Sequence, residues 1–246
     1  MEVKKIVGII PARYGSSRFP GKALAEVHGK TIIQRVWEQA SKALEEVCIA
    51  TDDQRIFDHV SSFGKVFMTS AQHKSGTDRC HEVLQNNYPD YDYVINIQGD
   101  EPFIDPGQIK EIKSSLDGTT ELATLCKKTT DVEELQNNNV VKVVFNLNNR
   151  AMYFSRNPIP YIKGKEITDW PEEQKHYKHI GIYAYRADVL EKIARMKISP
   201  LENAESLEQL RWLENGLEIR CIVTSFESMG IDTPEDLERA ISWPRP

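Results

Sequence analysis

Short apolar runs rich in β-branched residues recur through the first half of the chain, at Lys5–Ile10, Val47–Ala50, Lys65–Met68 and Tyr93–Ile97. Runs of this length, bounded by turn residues, predict buried strands. Between them the apolar positions change to helical spacing. Ile32, Ile33, Val36, Ala40, Ala43 and Leu44 make one face of a helix predicted from its cap, Thr31, to about Glu46. Asp52 and Asp53 offer caps for a helix to about Ser62, Ser75 or Thr77 for one to about Asn86, and Asp105 with Pro106 for a fourth. Strands alternating with helices predict a parallel sheet.

The pattern changes after a further strand at Leu122–Cys126. Residues 129–139 are polar and without a clear period, and Val140–Phe145 and Ala151–Ser155 flank an Asn148–Asn149 turn, which reads as a hairpin. His179–Tyr185 alternates strictly, with His179, Gly181, Tyr183 and Tyr185 on one face. That face can hydrogen-bond a polyhydroxylated ligand or simply be half exposed. Helices are expected from Ala187 to before Ser199 and from Asn203 to Gly216, with a last strand at Ile219–Val223. The expectation is one α/β domain over 1–246, Rossmann-like. It has a mostly parallel mixed sheet with helices on both faces, and an antiparallel β extension at 140–186.

Composition narrows the functions. The chain has 246 residues, 40% hydrophobic and 28% charged, with a net charge of -6. An acidic balance argues against broad nucleic-acid binding, which needs an extended basic face, while leaving room for a local positive pocket. No apolar run approaches the roughly 20 residues of a membrane span. The N-terminus enters a strand at once, so no leader is expected, and a cytoplasmic setting follows. Cys48, Cys80, Cys126 and Cys221 form no C-x-x-C pair and read as buried hydrophobes in a reduced compartment. His176 and His179 lack the further ligands of a zinc set.

The densest candidate chemistry is the loop Pro11–Lys22. It carries Arg13, Arg18 and Lys22, the hydroxyls of Ser16 and Ser17, and Gly15 and Gly21, directly after the first strand. Such a loop can bring backbone N–H groups and positive charge to one polyphosphate. It fails the Walker A spacing, because five residues separate Gly15 from Gly21 and Ala23 follows Lys22. A magnesium-binding hydroxyl is therefore missing there. Ligands of open α/β sheets bind outside the carboxyl ends of strands. There the sequence places Ser75, Thr77 and Arg79 after the third strand, and Gln98, Gly99, Asp100 and Glu101 after the fourth. Asp100 is a competent Mg²⁺ ligand, since magnesium takes one or two carboxylates and completes its shell with phosphate and water. Asp232, just before Pro234, reads by default as a helix cap. Arg156 follows the hairpin, and the loop from Pro158 to Lys178 reads as mobile and a possible lid.

These segments together resemble the sugar-nucleotide cytidylyltransferases, in particular those that activate the sugar acid 3-deoxy-D-manno-octulosonate (Kdo). The resemblance runs through nearly the whole chain. It rests on Ile10–Lys22, Gln98–Pro102, Tyr153–Arg156, His179–Tyr183, Ser199–Glu202 with Glu208–Arg211, and Gly230–Asp236. It implies transfer of CMP from CTP to Kdo with release of pyrophosphate, for lipopolysaccharide biosynthesis, with Mg²⁺ and as a homodimer that uses the antiparallel extension. It implies Arg13, Arg18 and Lys22 on the triphosphate, and Ser75, Thr77, Arg79 and Gln98 around the cytidine. Asp100 and Asp232 would hold the metal, against the capping default for Asp232. Lys22, Asp100 and Asp232 would then be catalytic. Arg156, His179, Tyr183, Glu208 and Gln209 would meet the sugar acid, with Arg156 forked onto its carboxylate. The segment 162–178 departs from the family pattern. Rival readings are a cytidylyltransferase for another sugar acid such as sialic acid, and a nucleotide-sensing module without turnover.

Overall fold

A computed structural model of the protein describes residues 3–16, 18–227 and 229–242. Its main sheet contains β1 (Ile6–Ala12), β4 (Glu46–Thr51), β5 (Lys65–Met68), β6 (Tyr93–Asn96), β7 (Leu122–Thr129), β10 (His176–Arg186) and β11 (Ile219–Thr224), in the order β11-β7-β10-β6-β1-β4-β5. Neighbours pair in parallel except at β10, which runs antiparallel between β6 and β7. The hairpin of β8 (Lys142–Phe145) and β9 (Ala151–Ser155) branches from β10. β2 (Glu26–Val27) and β3 (Lys30–Thr31) form a separate ribbon. Its turn residues His28 and Gly29 both have positive φ, at 50° and 76°, as a tight two-residue hairpin requires.

Helices cover both faces. On one lie α1 (Ile32–Ser41), α2 (Gln54–Val60) and α4 (Pro106–Ser114), packing Ile33, Val36, Ile56, Ile109 and Ile112 against Ile10, Ile49 and Ile95. On the other lie α3 (Gly76–Asn87), α7 (Ala187–Ala194) and α9 (Glu208–Glu214), packing Val83, Leu190, Leu210 and Trp212 against Ile9, Val94 and Tyr185. Each fully buried aliphatic side chain contributes roughly 1.5–3 kcal/mol. Two such layers hold the sheet rigid, so the loops at the carboxyl ends of β1 and β6 are presented from a fixed base.

Several elements depart from the periodic reading. α1 ends at Ser41, because Glu46 is already paired beside Val7 in the sheet. The helix expected from Asn203 is two, α8 (Pro200–Glu205) and α9, broken where Ser206 turns left-handed at φ 52°. Ser199 caps α8 with its hydroxyl and Glu202 closes the capping box. The aperiodic 129–139 stretch contains α5 (Val132–Gln136), capped by Asp131. The 162–178 segment is folded around buried Trp170 of α6 (Trp170–Glu173), whose ring stacks on His176 at 5.7 Å. α10 (Pro234–Ser242) follows the Gly230–Asp232 loop and packs Ala240 with Val27, Ile32, Phe103 and Ile231. No helix among the described residues is long and apolar enough to cross a membrane.

Candidate active site

The loop after β1 closes on itself. The Tyr14 carbonyl accepts from the N–H groups of Ser16 (2.9 Å) and Gly21 (2.8 Å). Gly21 has φ 76°, and a Cβ there would stand 3.0 Å from the Tyr14 ring, so the closure needs glycine. The Arg55 guanidinium lies over that ring, 3.3 Å from its centroid. This frame aims Lys22 across to the next loops. Its ammonium donates to Asp100 Oδ2 at 2.6 Å, Asp232 Oδ1 at 2.9 Å and the Ile231 carbonyl at 3.2 Å. Arg18 takes the other Asp232 oxygen at 2.9 Å. Burial disfavours the charged ammonium, yet the two carboxylates outweigh it and raise the Lys22 pKa above its ordinary value.

Asp100 reaches this point because Gly99 lets its turn touch the end of β1. A Cβ on Gly99 would lie 2.8 Å from the Pro11 carbonyl oxygen. The Asp100 carbonyl accepts from the Ile231 N–H at 2.9 Å, tying the two acidic loops together. The capping role read for Asp232 falls instead to its neighbours. Thr233 Oγ1 accepts from the Asp236 N–H, and Asp236 Oδ2 accepts from the N–H groups of Asp232 and Thr233, all within 3.2 Å. The Asp232 carboxylate is thereby left for Lys22 and Arg18.

Two clefts meet at these carboxylates. One, about 300 Å³, is lined by Arg13, Ser16, Arg18, Lys22, Ser75, Gly76, Arg79 and Gln98 together with Asp100 and Asp232. The other, about 500 Å³, shares Gln98, Asp100 and Asp232, and adds Lys178, His179, Gly181 and Tyr183 of β10 with Glu134, Asn139 and Glu227. The first is rich in cations and opens onto the N-terminus of α3, where anions are favoured. Ser17 lies outside the described residues.

The remaining predicted residues divide. Ser75 lines the first cleft, but its hydroxyl also caps α3 in a reciprocal box with Asp78. Arg79 lines it while its guanidinium is held by Asp52 at 2.9 Å and by Thr69. Gln98 donates to the Gly181 carbonyl at 3.0 Å across the shared wall. Thr77 does not line the first cleft; it is buried and donates to Glu208 Oε2 at 2.9 Å. Glu208 and Gln209 lie outside both clefts, one layer behind Tyr183, which meets α9 through Trp212 at 5.0 Å. Burial raises the Glu208 pKa against the pull of Thr77 and Arg211.

His179 is half-buried against the second cleft, and its ring is desolvated enough to push its pKa down to about 3. Its Nε2 meets Thr124 Oγ1 at 3.0 Å. His176, three residues away, occupies the opposite face of the strand and bonds Pro160 and Gln174 carbonyls. Arg156 stands apart from its expected place. Its Nε donates to the Glu205 carbonyl at 2.7 Å, Nη1 to Asn138 at 3.0 Å and Nη2 to Ser206 at 3.3 Å. The Glu205 and Ser206 carbonyls at the break between α8 and α9, with that of Asn138 in the loop after α5, hold it outside both cleft linings. Lys178, Glu134 and Glu227 escaped the sequence reading, since nothing in their spacing separates them from other surface charges.

Among the described residues no three His, Cys, Asp or Glu side chains gather around one point. Two converging carboxylates bridged by an ammonium suit Mg²⁺, which needs few protein ligands. An open α/β sheet with a cationic loop after β1, and with an acidic pair brought together from the loop after β6 (Asp100) and the loop before α10 (Asp232), fits the site of a nucleotidyltransferase.

The sequence profile of the Cytidylyltransferase family matches residues 7–219. The 3-deoxy-manno-octulosonate cytidylyltransferase of Parabacteroides distasonis is 55% identical over 97% of this chain and 98% of its own length. That of Bacteroides thetaiotaomicron is 53% identical over 96% of each. A solved CMP:2-keto-3-deoxy-manno-octonic acid synthetase, complexed with CTP, superposes with a TM-score of 0.90. It shares 42% identity and covers 97% of this chain and 98% of its own. The chain belongs to the cytidylyltransferases, within the 3-deoxy-manno-octulosonate cytidylyltransferase family.

Proposed function

We infer that the chain transfers CMP from CTP to the anomeric hydroxyl of Kdo and releases pyrophosphate. The observation that carries this reading is the placement of Asp100 and Asp232 on the wall shared by a cationic and an acidic cleft. The nucleotide takes the first cleft, with Arg13, Arg18 and Lys22 directed to the triphosphate. The sugar acid takes the second, beside His179 and Tyr183. The anomeric oxygen forms its bond to the α-phosphorus as the bond to the β-phosphate bridging oxygen breaks. Positioning and charge neutralisation lower the barrier, and no protein nucleophile is needed. Lys22 and Arg18 offset charge that builds on the departing pyrophosphate. Asp100 and Asp232 would hold Mg²⁺, which when bound polarises the α-phosphate and acidifies the attacking hydroxyl.

Two further features belong to the same reading. The β8–β9 hairpin carries exposed Leu147 and Met152, at 103% and 64% exposure, which supports its use as the homodimer face. All four cysteines are buried and free, which suits a reducing cytoplasm. Pyrophosphate release with CTP, Mg²⁺ and a panel of sugar acids tests the transfer. Kdo is expected to be turned over far faster than sialic acid. Preference for sialic acid would reassign the acceptor, and no release with any acid would sink the reaction.

A further inference from the structure

Kdo is a 2-keto acid, so its carboxylate is attached to the carbon that bears the attacking hydroxyl. Bringing that hydroxyl to the Asp100–Asp232 wall therefore brings an anion into the second cleft. The cleft is hostile to one. Asp100, Glu101, Glu134, Glu227 and Asp232 all line it, and Lys178 is the one Lys or Arg among the described lining residues. Lys22 and Arg18 open to the nucleotide side. Arg156 is occupied by three backbone carbonyls and lines neither cleft. His179 is neutral at physiological pH and offers no charge.

Lys178 is held in a manner that presents its ammonium. Glu134 Oε1 accepts at 2.6 Å and Glu227 Oε2 lies at 3.5 Å, while the second Glu227 oxygen is taken by Lys127. An ammonium has three N–H donors. Two are directed by these glutamates, which leaves the third for a ligand, and the side chain lines the cleft and is 17% exposed. Burial opposes ionisation of Glu134, but hydrogen bonds from Lys178 and Thr129 hold its carboxyl below the usual range, so the tether stays charged. We propose that Lys178, positioned by Glu134 and Glu227, binds the carboxylate of the acceptor and so selects sugar acids over neutral sugars.

The proposal rests on the transfer reading above, and one experiment separates the two. Steady-state kinetics of the full chain would compare Kdo with its neutral carboxamide, at saturating CTP and Mg²⁺. Wild-type protein should favour the acid strongly. Lys178→Met should lose about 10- to 100-fold in kcat/KM for Kdo, mostly through KM, as expected for a lost charge-assisted hydrogen bond. The KM for CTP should stay near wild type, and the acid-to-amide preference should collapse. Lys178→Arg should restore much of that preference. If Lys178→Met does not fold, Lys178→Gln makes the same comparison. A wild-type preference retained in the Met or Gln variant overturns the proposal, as does collapse of the preference in Arg156→Met instead. Wild-type protein inactive on every sugar acid would refute the transfer itself.

Discussion

The ammonium of Lys22 lies 2.6 Å from Oδ2 of Asp100 and 2.9 Å from Oδ1 of Asp232, between the two carboxylates proposed to hold a divalent cation. The same lysine lines the cleft proposed for the nucleotide. A triphosphate in that cleft and a metal on the carboxylates therefore make opposite demands on one side chain, and both are met if Lys22 turns from the carboxylates to the phosphates.

Replacing Lys22 with Met should uncover the acidic pair. Mn²⁺ uptake by the nucleotide-free protein, followed by electron paramagnetic resonance, should be at least several-fold tighter in Lys22→Met than in wild type. Turnover should fall by about 10²–10³, the usual loss for one electrostatic stabiliser. In Lys22→Met combined with Asp100→Asn the gained Mn²⁺ site should vanish. Equal uptake by wild type and Lys22→Met would show that the ion pair does not compete with metal.

Gly99→Ala should be costly although the residue added is small. Its Cβ would meet the Pro11 carbonyl at 2.8 Å, a backbone atom that cannot rotate away. Overpacking of this kind costs about 1–3 kcal/mol, and relief by shifting the turn would move Asp100. Thermal melts should show the lower Tm, and kcat should fall with it. A variant with wild-type melting and wild-type kcat would refute the close approach.

His179 makes a pH-dependent contribution with a definite sign. Burial holds its folded pKa near 3, against about 6.5 in an unfolded chain. Between these values the unfolded chain binds a proton that the folded one does not, so this contribution is present above about pH 6.5 and is lost as pH falls. The slope is at most about 1.4 kcal/mol per pH unit for one proton. Urea titrations from pH 7 to 5 should show a shallower loss of stability in His179→Gln than in wild type. Parallel curves for the two proteins would count against a desolvated neutral ring.

Much of the candidate site was legible because its chemistry is local. The loop from Pro11 to Lys22 declared itself by cations beside a strand end. The Gln98–Glu101 turn did so by carboxylates next to a glycine that a close approach requires. Asp232 shows the boundary. Its spacing to Pro234 is that of a cap, and only the hydroxyl of Thr233 and the carboxylate of Asp236, folded back on the helix start, release it for Lys22.

By itself, the sequence determined the strand–helix alternation, the buried faces and the strand-end position of the cationic Pro11–Lys22 loop, because these follow from periodicity and short-range stereochemistry. Tertiary structure decided which charges meet. Arg156 and Lys178 are both cations near the same strands, yet one is consumed by the open carbonyls at Glu205 and Ser206 while the other enters the cleft. That choice depends on the left-handed turn at Ser206 and on the path of β10 between β6 and β7. Both are settled by packing between residues distant along the chain, which no local pattern encodes.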